Sequence, residues 1–271
     1  VFDAVWPSGF TPYAAGIAQR YASHPQNQSA AARLFLHEGA PRAAAVMIHG
    51  YRWGQYPVEE RLWPVSWMLD RGLDVALFVL PFHAVRSASA RVALFPSSDP
   101  RFTNEGFRQA IHDLRALIGF LRARGAPAVG AMGMSLGAYT TALLSTIDPD
   151  LSFAVPMVPL VSIADIARTT GRFVGNEGER RAQHAALDAV HRVVSPLSRP
   201  PLIAPERVLI IAGEGDRITP RDHAERLAAH FRAPMHAFVG GHILQFGRSD
   251  AFRAVGRLLG SLDLLERHPS K

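Results

Sequence analysis

The sequence predicts an α/β protein built on a mostly parallel, twisted sheet with helices on both faces. Three observations carry that reading. Short apolar runs recur along the chain with little internal alternation, as in strands covered on both sides. Amphipathic helical stretches separate them, the pattern of βαβ crossovers. One apolar run then gives way to a helix through two glycines that bracket a serine.

In chain order, "ARLFLHEG" (32–39) reads as an antiparallel edge strand. "AAAVMIHG" (43–50), "DVALFVLPF" (74–82), "PAVGAMGM" (127–134), "FAVPMVP" (153–159), "RVLIIAGEGD" (207–216) and "MHAFVGG" (235–241) read as the buried strands. Helical stretches fall at 59–72, interrupted by Pro64, and at 104–125, 135–146, 221–231 and 251–267. In the second of these Phe107, Ile111, Leu114, Ile118 and Leu121 recur at helical spacing and form one apolar face. The rhythm breaks between Pro159 and Arg207, where two helices, about 162–170 and 178–194, precede the proline-rich "SPLSRPPLIAPE". That interval is too long for one crossover and predicts a cap over one end of the sheet, residues 160–206, within a single domain spanning 1–271.

Composition narrows the function classes. With 48% hydrophobic and 19% charged residues, the 271-residue chain has the profile of a globular protein with one large core. The net charge of +6 is almost all arginine spread among alanines, Lys271 being the only lysine, and no basic tail or recognition helix accompanies it, so nucleic acid is not the expected partner. No apolar run reaches the ~20 residues of a membrane span, and integral membrane association is not expected. The first ten residues lack a basic region followed by an apolar one, so the chain reads as cytoplasmic; they also lack an initiator methionine. The absence of cysteine removes thiolate catalysis and thiolate metal sites.

The chemistry centres on "AVGAMGMSLGAYT" (128–140). Ser135 is either a helix-capping serine in a glycine turn or a nucleophile held on a sharp strand-to-helix bend. A serine nucleophile needs a base and an orienting acid. Strand ends supply both: 207–216 closes on Asp216, and 235–241 runs into His242. In a parallel sheet these ends share one edge with Ser135. His242 has the alternative of an ordinary loop histidine. Asp216 has the alternative of a helix cap; it is preferred over Glu214 because it sits in the loop, and Asp165 is a weaker third candidate. Arg52, Trp53 and Tyr56 either line a substrate pocket or anchor their loop by packing, and Arg52 and Trp53 are taken as substrate-binding. His83 and Arg86 are expected at the site's margin. Trp63 and Trp67, four apart, are expected to pack in the core, and Asp113 is expected to be a solvated or capping charge. His184 and His191 lie seven apart in the cap, but no carboxylate completes a metal set there, and no metal or other cofactor is expected.

These residues resemble the α/β-hydrolase superfamily over about 45–247: "MIHGYRWG" after one strand, "GMSLGAY" at the elbow, "GEGDRITP" before a helix, and "GGHILQFG" after the last strand. The resemblance implies an α/β-hydrolase fold with the cap between its sixth and seventh strands. It implies Ser135 as nucleophile, Asp216 as acid, His242 as general base, and an oxyanion hole from the backbone N–H groups of Tyr51 and Leu136. "LPFHAVRSASARVALFPSSD" (80–99), 106–140 and "PMVPLVSIADI" (156–166) also resemble the alpha/beta hydrolase domain-containing 18-like group, although Ala84 stands where such chains tend to have glycine. No triple glycine follows His49, so the oxyanion loop is of the His-Gly-x kind, with His49 supporting it. The expected function is hydrolysis of a carboxylic ester of a small, moderately apolar molecule through an acyl-enzyme. The alternatives are a non-catalytic binding or scaffold protein of the same fold, or an acyltransferase, a peptidase or lyase-like chemistry on the same residues.

Overall fold

Alternation at the centre of the sheet puts Ala44, Val46 and Ile48 in one apolar cluster and Ala45 and Met47 in another. The strand that carries them, β3 (Ala44–Ile48), is therefore buried on both faces, which is why its sequence shows no polar alternation. The computed structural model describes residues 1–89 and 93–266. Lys271, the end of the helical run at 267, and residues 90–92 of the 80–99 stretch lie outside the described residues.

Around β3 the chain lays down β1 (Phe2–Pro7), α1 (Ala15–Ala22) and β2 (Ser29–Phe35) before it, then α2 (Tyr56–Leu62), α3 (Val65–Leu69), β4 (Asp74–Phe78) and α4 (Pro100–Ala123). There follow β5 (Val129–Met134), α5 (Leu136–Ser145), β6 (Ala154–Met157), α6 (Ile163–Thr169) and α7 (Glu177–His191). The chain then forms β7 (Ile210–Gly213), α8 (Arg221–Phe231), β8 (Met235–Phe238) and α9 (Arg248–Ser261). The strands form one sheet in the order β1-β2-β4-β3-β5-β6-β7-β8. Only the pairings of β2, with β1 and with β4, are antiparallel. Helices α1, α4, α5 and α8 contribute to the first apolar cluster, and α2, α3 and α9 to the second.

Strand order reverses at β3. The chain leaves β3 toward β4 on one side and later enters β5 on the other, so the loops after β3 and β5 diverge and open a crevice at their carboxyl ends. That crevice receives the residues after Ile48 and after Met134.

Local signals explain the helices that frame it. The carboxylate of Asp99 accepts the N–H of Arg101 and Pro100 stands in the first turn, so α4 is capped where the sequence turns helical. At α7, Asn176 and Glu179 form a reciprocal capping box.

The structure corrects several expectations. The edge strand is β1, formed by the exposed N-terminal segment, while the strand expected at the edge is β2, one place inward. Asp113 is not solvated: it is fully buried and pairs with Arg86 at 2.7 Å, while the Ser8 hydroxyl donates to it at 2.6 Å. Arg86 is therefore drawn under the sheet edge instead of reaching the site, because a buried carboxylate requires a charged partner. Trp63 and Trp67 both pack in the core as expected, Trp63 buried within the second apolar cluster and Trp67 half-buried against it, although Pro64 separates α2 from α3 and the two do not share one helix.

Candidate active site

Ser135 is the one residue between 129 and 146 that is not buried. Its backbone sits at φ 55°, ψ −110°, a strained conformation for a residue with a Cβ. Its N–H donates to Met157 O at 3.0 Å, which ties the bend to β6. Both flanking glycines are required by contact: a Cβ on Gly133 would stand 2.1 Å from Gly137 O, and one on Gly137 would stand 2.0 Å from Ile48 O. The start of α5 thus lies directly on the end of β3, and the serine is pushed out of the fold. Its hydroxyl caps no helix N–H and has no hydrogen-bond partner among the described residues. The capping reading of this serine therefore fails.

The carboxylate and imidazole are held by the neighbouring loops. His242 Nδ1 lies 2.7 Å from Asp216 Oδ2, with Asp216 buried and His242 half-buried. Asp216 Oδ1 accepts the N–H groups of Ile218 and Thr219 at 2.8 and 2.9 Å, and its Oδ2 also lies 3.0 Å from Thr219 Oγ1. Burial pushes the Asp216 carboxyl up, but the hydrogen bond and charge of His242 and these backbone donors outweigh it and hold the group below its ordinary value. An ionised Asp216 accepts a hydrogen bond from Nδ1–H, the tautomer that leaves the lone pair on Nε2. The two loops are laced together by Gly215 N–H donating to Gly240 O at 2.8 Å.

The loop after β3 lies beside the elbow: a Cβ on Gly50 would stand 3.6 Å from Ser135 Cβ. The N–H groups of Tyr51 and Leu136 make no backbone hydrogen bond in the turns, loops and caps of the described residues. His49 fixes this loop. Its Nε2 accepts the N–H of Leu80 at 3.0 Å and its Nδ1 donates to Gly50 O at 2.7 Å. Burial, reinforced by His83, holds His49 well below the usual imidazole range, so it is neutral and structural. Glu59 buttresses the same loop, accepting Gly54 N–H at 2.9 Å and the Trp63 indole N–H at 3.1 Å. Its burial outweighs these donors and raises its pKa to about 6.

Two cavities meet at Ser135. One, of about 600 Å³, is lined by Tyr51, Leu136, Leu160, Ile218 and Thr219 and by the apolar faces of α6 and α7, with Arg172, Gln183 and His191 among its polar residues. The other, of about 450 Å³, holds His242 and is lined by His49, Gly50, Tyr51, Trp53, Glu59, Gln245 and Arg248. A hydroxyl without an internal partner and an imidazole oriented by a carboxylate thus open on one space, beside N–H groups with no backbone partner. Such a set can move a proton and stabilise a developing oxyanion.

The remaining candidates separate. Trp53 lines the second cavity, but Arg52 lines neither: it is exposed, with its guanidinium 5.5 Å from the Tyr51 ring centroid. Tyr56 is buried against Arg33. Glu214 is exposed. Asp165 pairs instead with His184 at 2.7 Å and Arg226 at 2.6 Å. His83 is buried beneath the loop, its ring centroid 5.0 Å from that of His49. His184 and His191 have separate partners, His191 lying 2.7 Å from Asn104 Oδ1, and no three-residue metal-ligating group occurs among the described residues. The sequence reading missed Thr219, whose signal was present three residues after Asp216 in "GDRITP". It also missed Arg248, for which no local signal exists.

No protein-family model matches the chain. An uncharacterized protein of Mycobacterium tuberculosis H37Rv, Rv2627c, is 31% identical over 268 residues, covering 96% of this chain and 64% of its own length. The uncharacterized protein MT2702 of strain CDC 1551 matches with the same figures. The chain thus spans a little under two thirds of these relatives. Among solved structures, Est1E from Butyrivibrio proteoclasticus, determined with ferulic acid bound, superposes with a TM-score of 0.61 at 15% identity, covering 87% of this chain and 96% of that one. The Pyrococcus furiosus esterase Pf2001 gives 0.60 at 15%, covering 86% of each chain. A puromycin-hydrolyzing peptidase of M. tuberculosis gives 0.60 at 16%, covering 90% of this chain and 38% of the peptidase. These likenesses, with the strand order and crossovers, identify the architecture as the α/β-hydrolase fold.

Proposed function

We propose that the protein is a serine hydrolase that cleaves a carboxylic ester through an acyl-enzyme, with Ser135 as nucleophile, His242 as general base and acid, and Asp216 as the orienting carboxylate. The observation that carries this reading is the 2.7 Å Asp216–His242 hydrogen bond on the wall of the cavity that also exposes Ser135. His242 takes the serine proton as Oγ attacks the carbonyl carbon, then returns it to the departing alcohol; water repeats the cycle on the acyl group. The N–H groups of Tyr51 and Leu136 bind the oxyanion. The segment between β6 and β7 acts as a cap, giving the larger cavity its apolar wall for a moderately apolar small molecule.

The solved structures that share the fold include esterases and a peptidase, so hydrolysis of an ester panel is what separates ester from peptide cleavage. A fluorophosphonate probe is expected to label the wild-type protein and to leave Ser135→Ala unlabelled. Equal labelling of both overturns the assignment, and no burst across a panel of p-nitrophenyl esters favours a binding protein.

A further inference from the structure

The two cavities do not treat a substrate alike. His242 lines the smaller and is not among the residues that line the larger. If His242 delivers the proton to the leaving oxygen, the alcohol part of the ester lies in the smaller cavity and the acyl part in the larger. This inference therefore rests on the hydrolase reading above.

The smaller cavity contains a guanidinium that forms no ion pair among the described residues. Arg248, the first residue of α9, is half-buried there. Its guanidinium donates to Leu62 O and, at 3.5 Å, to Gln245 Oε1, and its Cζ lies 5.1 Å from the Phe252 ring centroid. Among the described residues it has no carboxylate within 4.0 Å, whereas Arg253 on the same helix does. The carboxylate that shares its cavity, Glu59, has each oxygen occupied by an N–H donor of its own loop. A guanidinium with five N–H groups and two weak or neutral acceptors keeps donors for an incoming anion.

We infer that the substrate is an ester of an apolar carboxylic acid with an alcohol that itself carries a carboxylate, and that Arg248 binds that carboxylate. The C–O bond to this alcohol breaks as His242 protonates its oxygen, and water then releases the apolar acid from Ser135. The products are one apolar acid and one hydroxy acid, and no redox partner is needed. Planar bidentate pairing of guanidinium with carboxylate fits the alcohol's anion better than a point charge would.

The test uses matched esters, 3-butyryloxybenzoate and its neutral amide 3-butyryloxybenzamide, read by release of the phenol. The wild type is expected to favour the carboxylate by about tenfold or more in kcat/KM. The preference is expected to collapse in Arg248→Met, to survive in part in Arg248→Lys, and to shrink as sodium chloride is raised. In parallel, free 3-hydroxybenzoate is expected to slow fluorophosphonate labelling of Ser135 more than 3-hydroxybenzamide does, a readout that requires no turnover. If Arg248→Met does not fold, the Lys variant and the salt series decide. Equal rates on the two esters, or a preference that persists in both variants, overturns the inference while the hydrolase reading stands. Absence of both labelling and hydrolysis overturns the hydrolase reading itself.

Discussion

Gly137 lies so close beneath the end of β3 that a side chain there would stand 2.0 Å from the Ile48 carbonyl oxygen. The obstacle is backbone, which cannot swing aside as a side-chain tip can. Gly137→Ala is therefore expected to push α5 away from β3, destabilising the fold by about 1–3 kcal/mol and tilting the elbow. Urea denaturation measures the first effect. A drop in fluorophosphonate labelling rate beyond the loss of folded protein measures the second, and an unchanged labelling rate would dissociate the packing from the serine's geometry.

Asp216→Asn preserves shape but removes the charge that holds Nδ1–H of His242. The expected result is a fall in kcat of about 10³–10⁴ with little change in KM. Circular dichroism and the thermal midpoint should stay close to wild type. A fall below tenfold would remove Asp216 from the proposed relay.

Removing the buried pair beneath the N-terminal segment should act on stability. Arg86→Met leaves the buried Asp113 without its guanidinium partner and is expected to cost about 3–5 kcal/mol in urea unfolding. Because this pair lines neither cavity, the folded fraction should keep its labelling rate with the fluorophosphonate.

Buried histidines make the fold acid-sensitive. Burial lowers His83 from 6.5 to about 4, the Pro81 carbonyl opposing it, and burial likewise lowers His191 to about 4. Unfolding frees both to bind protons at their ordinary pKa, so the unfolded chain takes up more protons in between. Their stabilisation is complete above about 6.5 and is lost as pH falls toward about 4, by about 3 kcal/mol per histidine at most. Thermal midpoints measured across that range should fall on the acid side, and the fall should be shallower in His83→Asn.

Glu59 works in the opposite direction. Burial raises its pKa from 4.5 to about 6, so the folded chain holds a proton that the unfolded chain releases. Its contribution is full below about 4.5 and is lost as pH rises through about 6, a swing of about 2 kcal/mol. Relative to Glu59→Gln, the wild type should gain stability as pH falls through this window. A constant difference between the two would show that the carboxyl does not change its proton there.

Much of this was legible because continuous apolar runs and helical periodicity encode local structure directly. The six strands read as buried all form in the sheet, and α4 follows its apolar stripe. Ser135, Asp216 and His242 could be singled out as candidates because each follows a strand end, where the sheet's polarity brings distant residues to one edge. Other features have no local signature. Asp113 looks like any helix-surface carboxylate until Arg86 and Ser8 close over it, and β1 is largely exposed, so no continuous apolar run announces it as a strand. Arg52 follows Tyr51 in the loop after β3, but its positive φ of 67° accompanies a turn that leaves it outside both cavities. Arg248 enters the site only because α9 packs next to the loop that carries His242.

The sheet order has a consequence for how the molecule would fail. The elbow serine follows β5, gripped by strands on either side, whereas the imidazole follows β8, the rim strand, which among the described residues pairs with β7 alone. Sub-global opening begins at such margins, where fewer ladders must be broken. On gentle heating the proposed relay would come apart while the interior persisted, so any loss of fluorophosphonate labelling would run ahead of melting, and cooling before the centre gives way would restore it.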